Sequence, residues 1–180
     1  MAIIPGIYAS QISGHLQTGN YFLISQSLPS AVSTITFNSI PSTYKSLQLR
    51  FNLVWSVANG NGTPKIQFNG DTGGNYGYHF LYGDGSSASA SGVAVTQTSI
   101  LPMGAQGITY PLVGIVDVID YANANKNKVT KSLTGFNNNT ATGEVRVASG
   151  LWLNTAAITS LTVLGTVGTF TGTISLYGVS

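Results

Sequence analysis

Five acidic residues are the only side chains that could supply carboxylate chemistry in this chain: Asp71, Asp84, Asp117, Asp120 and Glu144. Glycoside hydrolysis requires two carboxyl groups that face one cleft, and Asp117 and Asp120 are the closest pair in sequence. Residues three apart in a strand lie on opposite faces of the sheet, so this pair would converge only at a strand end. The spacing favours a turn, in which Asp120 or Asn123 accepts hydrogen bonds from backbone N–H groups before Lys126.

The remaining chemistry-bearing residues form no recognisable motif. The histidines are His15 and His79, and the chain contains no Gly-x-Ser-x-Gly segment. The absence of cysteine excludes disulfides and thiolate metal sites. The segment 69–75, NGDTGGN, is rich in oxygen atoms but lacks the recurring acids and the terminal bidentate Glu of a calcium loop. We therefore predict a Gly/Asn turn there and a chain that is not an enzyme, with no catalytic residue, metal or cofactor.

Charged residues are unusually scarce. The chain has seven Lys or Arg and five Asp or Glu among 180 residues, whereas about a quarter of the residues are charged in typical domains. Ser, Thr, Asn, Gln and Gly fill the polar positions, which suits packing against copies or a larger assembly better than a free monomer. The basic residues are scattered apart from Lys126, Lys128 and Lys131, so nucleic-acid binding is not predicted.

The sequence also predicts no membrane association. Its longest apolar run is far shorter than a transmembrane span. Residues 1–16 have no positively charged n-region and no continuous apolar core, so they do not read as a secretory signal.

Apolar and polar residues alternate with a period of two along most of the chain, which is typical of β-strands. The clearest case is 46–57, SLQLRFNLVWSV. The predicted strands are 21–27, 32–37, 46–57, 65–68, 76–82, 93–98, 112–119, 129–135, 144–154, 158–164 and 170–177. Gly- and Asn-rich turns separate them, and no long helix is predicted. The fold class is therefore all-β, a jelly-roll-like antiparallel β-sandwich over residues 21–180.

Two local features modify this pattern. The segment 86–92, SSASASG, is low in complexity and predicts a flexible loop, with a receptor-contact loop as the alternative. Ser149 and Gly150 interrupt an alternating segment and predict a kink or bulge.

The aromatic residues divide by their phase in the alternation. Trp55 is in phase with Leu53 and is predicted to lie in the core. Trp152 is out of phase with its apolar neighbours Leu151 and Leu153, and is predicted to contact a partner at the surface. Tyr76, Tyr78 and Tyr82 share one face of a strand. A core or subunit interface is the favoured reading of that face, and a sugar-binding platform is the alternative.

The first 20 residues differ from the rest, since their apolar residues follow neither a strand nor a helix period. We predict an extended arm, residues 1–20, that anchors the chain on a neighbour, because an arm in water would expose several aliphatic side chains. A frayed terminus is the alternative. The anchor residues are Ile3, Ile4, Ile7, Ile12, His15 and Leu16.

Several segments together resemble a group of tailed-bacteriophage virion proteins that are built on a jelly-roll-like domain. They are FNSIPSTYKSLQLR at 37–50, IQFNGD at 66–71, NYGYHFL at 75–81, GDG at 83–85, DYANANK at 120–126 and SGLWLNTAAITSL at 149–161. The segment SQISGHL at 10–16 is similar to the head segment of phage structural proteins. The resemblance covers nearly the whole chain and brings no catalytic residues with it.

The resemblance implies a structural virion protein that is assembled in the host cytoplasm. The first expectation is a capsid decoration or cement protein, a homotrimer whose partners are the major capsid protein or other virion proteins. The alternative is a tail-fibre or tail-tip module that binds host-surface glycans through loops 71–75 and 84–92. Surface contacts are expected at Trp152, Asp84 and Ser86.

Overall fold

The computed structural model describes residues 20–57, 64–100, 110–137, 143–165 and 167–180, and within these ranges every regular element is a β-strand. The twelve strands are β1 (Tyr21–Ser27), β2 (Ser30–Val32), β3 (Thr34–Phe37), β4 (Ser46–Trp55), β5 (Lys65–Phe68), β6 (Tyr76–Gly83), β7 (Ala88–Gln97), β8 (Leu112–Ile119), β9 (Lys128–Asn137), β10 (Gly143–Trp152), β11 (Leu161–Leu164) and β12 (Phe170–Val179).

The strands form two antiparallel sheets of unequal size. The nine-stranded sheet has the order β1-β12-β4-β8-β9-β10-β6-β7, with β2 also paired to β12, and the three-stranded sheet has the order β3-β11-β5. Consecutive strands belong to different sheets on both sides of β3, β5 and β11, so the chain passes between the sheets before and after each strand of the small sheet. After β7, Ile100 forms an isolated bridge to Ile66 of β5. The predicted antiparallel β-sandwich is confirmed, and its jelly-roll connectivity stays a prediction.

The core lies between the two sheets and follows from the alternation of each strand. In β4 the inward positions carry Leu47, Leu49, Phe51, Leu53 and Trp55, all of them buried. The small sheet covers them with six buried apolar residues: Ile35, Phe37, Ile66, Phe68, Leu161 and Val163. Each such side chain contributes about 1.5–3 kcal/mol relative to its exposed state, and the core position predicted for Trp55 is confirmed.

Two local predictions are wrong. Most of the predicted loop 86–92 belongs to β7, which pairs along β6 from Ala88 opposite Gly83. The Ser- and Ala-rich segment has a weak intrinsic strand propensity, but hydrogen bonding to the neighbouring strand outweighs that preference. β10 runs without a register shift against both neighbours, so Ser149 and Gly150 form no bulge. Gly150 instead allows the Ile100 side chain to pack close to the backbone of β10, because a Cβ atom there would lie 2.4 Å from Ile100 Cγ2.

Candidate interaction surface

The large sheet carries apolar side chains on the side that faces away from the small sheet, which we call the outer face. On strands β6, β8, β9 and β10, seven of them are exposed by 44–62%: Leu81, Val113, Ile119, Val129, Leu133, Val145 and Val147. Scattered exposed aliphatics are normal in proteins, but a contiguous set on one surface marks an interaction site. Whether these residues are scattered or form one contiguous set depends on their positions in the strands.

Strands β9 and β10 place their more polar side inward and their more apolar side outward. The buried positions of β9 are Lys128, Thr130, Ser132 and Thr134, and those of β10 are Arg146, Ala148, Gly150 and Trp152. The exposed positions between them include Val129, Leu133, Val145 and Val147. A strand with only one buried face usually shows the opposite arrangement. The outer face therefore has the character of a surface that becomes covered.

The strand register brings the outer apolar residues into a continuous row. Ile115 of β8 pairs with Leu133 of β9. Leu133 is also opposite Val147 of β10, which in turn pairs with Leu81 of β6. Side chains directly opposite each other on adjacent strands are about 4.5–5.5 Å apart at Cβ, so these four residues form one apolar strip. Leu81 and Val147 also line two adjoining open depressions of about 520 and 470 Å³.

A polar row runs parallel to this strip, two residues further along each strand. It consists of Gln48, Asp117, Lys131, Ser149 and His79 on five neighbouring strands. Gln48 Nε2 donates a hydrogen bond to Asp117 Oδ1 at 2.7 Å. Asp117 and Lys131 are direct register partners, yet the ion pairs among the described residues lie elsewhere, at Lys126–Asp120 and Arg146–Glu144.

The inward polar residues of β9 and β10 are satisfied within the protein. Lys128 Nζ donates to the carbonyl oxygens of Asn123, Lys126 and Thr155 at 2.7, 2.6 and 2.9 Å. Burial lowers the pKa of this ammonium group. Such a lysine, held by three carbonyl oxygens, has a structural role.

Arg146 is held in a similar way. Its Nε lies 2.8 Å from Glu144 Oε1, and its guanidinium stacks over the Phe80 ring with 4.2 Å to the centroid. Both members of the ion pair are largely buried. The stacking on Phe80 fixes β10 against β6, and the ion pair gives each of these two buried charges an opposite partner.

Trp152, predicted to contact a partner at the surface, is buried with 1% of its area exposed, so that prediction is wrong. The inward parity of β10 places its ring 5.5 Å from that of Phe68 and 6.2 Å from that of Tyr76, measured between centroids. Tyr76 is itself buried, which raises its pKa to about 12. The core reading of Tyr76 is confirmed, whereas Tyr78 and Tyr82 of the same face are half-buried.

The oxygen-rich loop around Asp71 is closed by protein donors. Asp71 Oδ2 accepts hydrogen bonds from Trp152 Nε1 at 2.7 Å and Asn75 Nδ2 at 2.9 Å, and Oδ1 accepts one from the Gly73 N–H at 2.8 Å. The Trp152 bond, followed by the Asn75 bond, lowers the pKa of this carboxyl. The loop thus behaves as the predicted turn, with its carboxylate directed to the core edge.

Asp84 and Ser86 lie exposed in the β6–β7 hairpin. Asp84 Oδ1 accepts from the backbone N–H groups of Ser87 and Ser86 at 2.7 and 2.9 Å, and these bonds lower its pKa to about 2. Their partner-contact role stays a prediction. These hydrogen bonds give both residues a role in closing the hairpin turn.

The acids Asp117 and Asp120 do not share a cleft. Asp117 lies on the outer face with Gln48, whereas Asp120 binds Lys126 Nζ at 2.7 Å after the end of β8. The predicted turn before Lys126 is formed by Asn123, whose Oδ1 accepts from the Asn125 N–H at 2.8 Å. Within the described ranges, His, Cys, Asp and Glu side chains form no group of three that could hold a metal.

The anchor residues predicted in the N-terminal arm, Ile3, Ile4, Ile7, Ile12, His15 and Leu16, lie outside the described residues. Among the residues that are described, no helix has the length and hydrophobicity needed to cross a membrane.

Comparison of the chain with protein-family models, curated proteins and solved structures found no match. Function is therefore inferred from the residues and from the surface that they form.

Proposed function

We propose that this chain is a non-enzymatic structural subunit of a virion, a capsid decoration or cement protein that works by packing against neighbouring subunits. The observation that carries the proposal is the patterning of β9 and β10, which directs Val129, Leu133, Val145 and Val147 outward and Lys128, Thr130, Ser132, Thr134 and Arg146 inward. Such a surface favours burial in an assembly. The resemblance of segments 10–16, 37–50 and 149–161 supplies the virion context.

The energetics support this role. Each outer-face aliphatic that is half exposed contributes on the order of 1 kcal/mol when a partner covers it. The seven exposed aliphatics together would supply several kcal/mol. That amount offsets part of the free energy lost when association restricts the translation, rotation and side-chain motion of the two partners. The strands of the large sheet place only Arg50, Asp117 and Lys131 as charges on this face, so few ions would need desolvation.

The proposed role places the N-terminal arm as the virion anchor and the β-sandwich as the part that covers neighbouring subunits. The major capsid protein or another virion protein is the partner, and the assembled particle is the location. This division predicts that removal of residues 1–16 abolishes incorporation while the isolated β-sandwich still folds.

Incorporation into particles tests the outer-face role. The variant L133T/V147T replaces two outer-face aliphatics with a residue that keeps strand propensity. Its matched control, L28T/V167T, changes the same residue types at positions that are 70% and 50% exposed elsewhere. We expect L133T/V147T to lower the copy number per purified particle at least about tenfold, the effect of roughly 1.4 kcal/mol, while the control incorporates normally. Equal incorporation of both variants would refute the proposal, provided that both melt at the same temperature.

The alternative role, glycan recognition at a fibre or tail tip, has weaker support in the described structure. Of its expected contacts, Trp152 is buried and most of segment 84–92 is strand β7. Loop 71–75 retains exposed residues, but Asp71 is engaged by Trp152 and Asn75. Saturable binding of purified protein to host-surface glycans would favour this role over a structural one.

A further inference from the structure

We propose that the outer face binds the outer face of a second copy of this chain, around a two-fold axis that runs along the strands between β8 and β9. This inference rests on the proposed function and names the partner of its surface. It commits to a two-fold contact instead of the three-fold one expected from the sequence. Two observations lead to it, the placement of the charges and the extent of the face.

The charges are self-complementary about that axis. Asp117 of β8 and Lys131 of β9 are register partners on either side of it. A two-fold rotation about a line between these strands places β8 of one copy over β9 of the other. Each Asp117 then faces the Lys131 of its partner, and each Lys131 faces the Asp117 of its partner. An isologous contact of this kind needs one surface that complements itself.

The apolar residues beside the axis obey the same relation. Ile115 pairs with Leu133, and Ile119 pairs with Val129. The rotation therefore stacks Ile115 on the partner's Leu133, and Ile119 on the partner's Val129. These four aliphatic side chains meet aliphatic partners and the two charges meet opposite charges, while Val113 faces the partner's Gly135. Packed sheets lie about 10 Å apart, a distance that such side chains fill by interdigitation.

The size of the face fits a stable dimer. Six neighbouring strands, β12-β4-β8-β9-β10-β6, lie symmetrically about the axis, three on each side. At about 4.8 Å between strands and roughly 3.3 Å per residue over about eight residues, they span a face of roughly 29 by 26 Å. That area approaches the 800 Å² or so that each partner buries in a standard interface.

Arg50, the remaining charge of the face, lies away from the axis and is stacked on aromatic rings. Its guanidinium carbon lies 4.5 Å from the Tyr21 centroid and 4.8 Å from the Tyr177 centroid, and its Nε donates to Gln48 Oε1 at 2.6 Å. The arginine is therefore engaged within its own chain. The rotation places Arg50 opposite the partner's Val147, one strand away from the nearer of the contacts between Asp117 and Lys131.

A charge-exchange experiment tests this contact. In D117K each copy presents two lysines at the axis, and in K131D each presents two aspartates, so both variants should repel themselves. An equimolar mixture restores opposite charges at both contacts. By sedimentation equilibrium we expect a dimer for the unmodified chain, at least about a tenfold weaker association for each single variant, and recovery of the dimer in the mixture.

Far-UV circular dichroism and thermal melting of each variant control for folding. Milder variants, Asp117→Asn and Lys131→Gln, provide a second test that does not depend on charge reversal: both should weaken the dimer and reduce its sensitivity to salt.

The inference is overturned if the unmodified chain stays monomeric at its highest soluble concentration, if it sediments as a trimer, or if the mixture fails to reassociate. Such a result leaves the proposed function intact when L133T/V147T still loses incorporation, because the face then binds another virion protein. If L133T/V147T is incorporated normally and the mixture of D117K and K131D forms dimers, the proposed function is refuted while the two-fold contact is supported.

Discussion

The indole N–H of Trp152 donates a hydrogen bond to Oδ2 of Asp71 at 2.7 Å, and this bond ties the end of β10 to the turn that follows β5. It joins the two sheets, since β10 belongs to the large sheet and β5 to the small one. The same loop receives the hydroxyl of Tyr76, which donates to the Asp71 carbonyl at 3.1 Å. A carboxylate at the edge of the core therefore satisfies the polar atom of a buried tryptophan.

Asp71→Asn should destabilise the sandwich by about 1–3 kcal/mol, because an amide nitrogen or a weaker acceptor would then face the buried Trp152 donor. Urea unfolding at pH 7 measures the loss. Asp120→Asn is the matched control, since its ion pair with Lys126 is exposed and such pairs contribute about 0–1 kcal/mol. Equal losses in the two variants would contradict this role for Asp71.

The same carboxyl predicts a direction for pH dependence. Its pKa is lowered in the folded state from 3.8, so the unfolded chain binds a proton at a higher pH than the folded chain does. The stability from Asp71 is therefore complete above the unfolded pKa and is lost as the pH falls through the lowered folded value. Unfolding between pH 7 and pH 2 should be less pH-dependent in Asp71→Asn than in the unmodified chain.

Lys128→Met should destabilise the protein by about 2–4 kcal/mol, because it leaves three carbonyl oxygens without their charged donor. The control is Lys126→Met, whose side chain is 62% exposed. Chemical denaturation of both variants measures the difference. If Lys128→Met were as stable as the control, the carbonyls would have found other donors and the structural role of this lysine would be wrong.

Gly150→Ala should destabilise the protein by about 1–3 kcal/mol, because the new methyl group would overlap Ile100 Cγ2 at 2.4 Å and Thr130 Oγ1 at 2.5 Å. Gly83→Ala tests the same change where the nearest atom is the Ser87 carbonyl oxygen at 3.8 Å. Thermal melting should separate the two variants clearly. A neutral Gly150→Ala would show that Ile100 can move away from β10.

Local sequence patterns predicted much of the fold. Strands β1, β5 and β8 have the predicted bounds, since a period of two with Gly and Asn turns depends on neighbouring residues alone. The last strand of the small sheet starts later than predicted, at Leu161. Asn69 Oδ1 accepts from the backbone N–H groups of Thr159 and Ser160 at 2.8 and 3.1 Å there. That contact joins residues about ninety positions apart, so no local pattern predicts it.

The candidate surface was not predicted, and alternation explains why. Alternate residues of a strand such as β10 point to opposite faces of the sheet, but the strand's own sequence does not determine which face packs against the partner sheet. The apolar set Val145 and Val147 would ordinarily be assigned to the core, and the structure places it outside because Arg146, Ala148 and Trp152 fill the interior. The exposure predicted for Trp152 failed for the same reason.

The amino-acid sequence by itself determined that this chain is built from antiparallel strands and carries few charges, because periodicity and composition are local properties. Tertiary structure decided which face of β9 and β10 is buried, and it brought Asp71 to Trp152 and Asp117 beside Lys131. Those relations depend on strand order and register across the whole sheet. The outer apolar face arises from that choice of parity, and it is the feature on which the proposed assembly role rests.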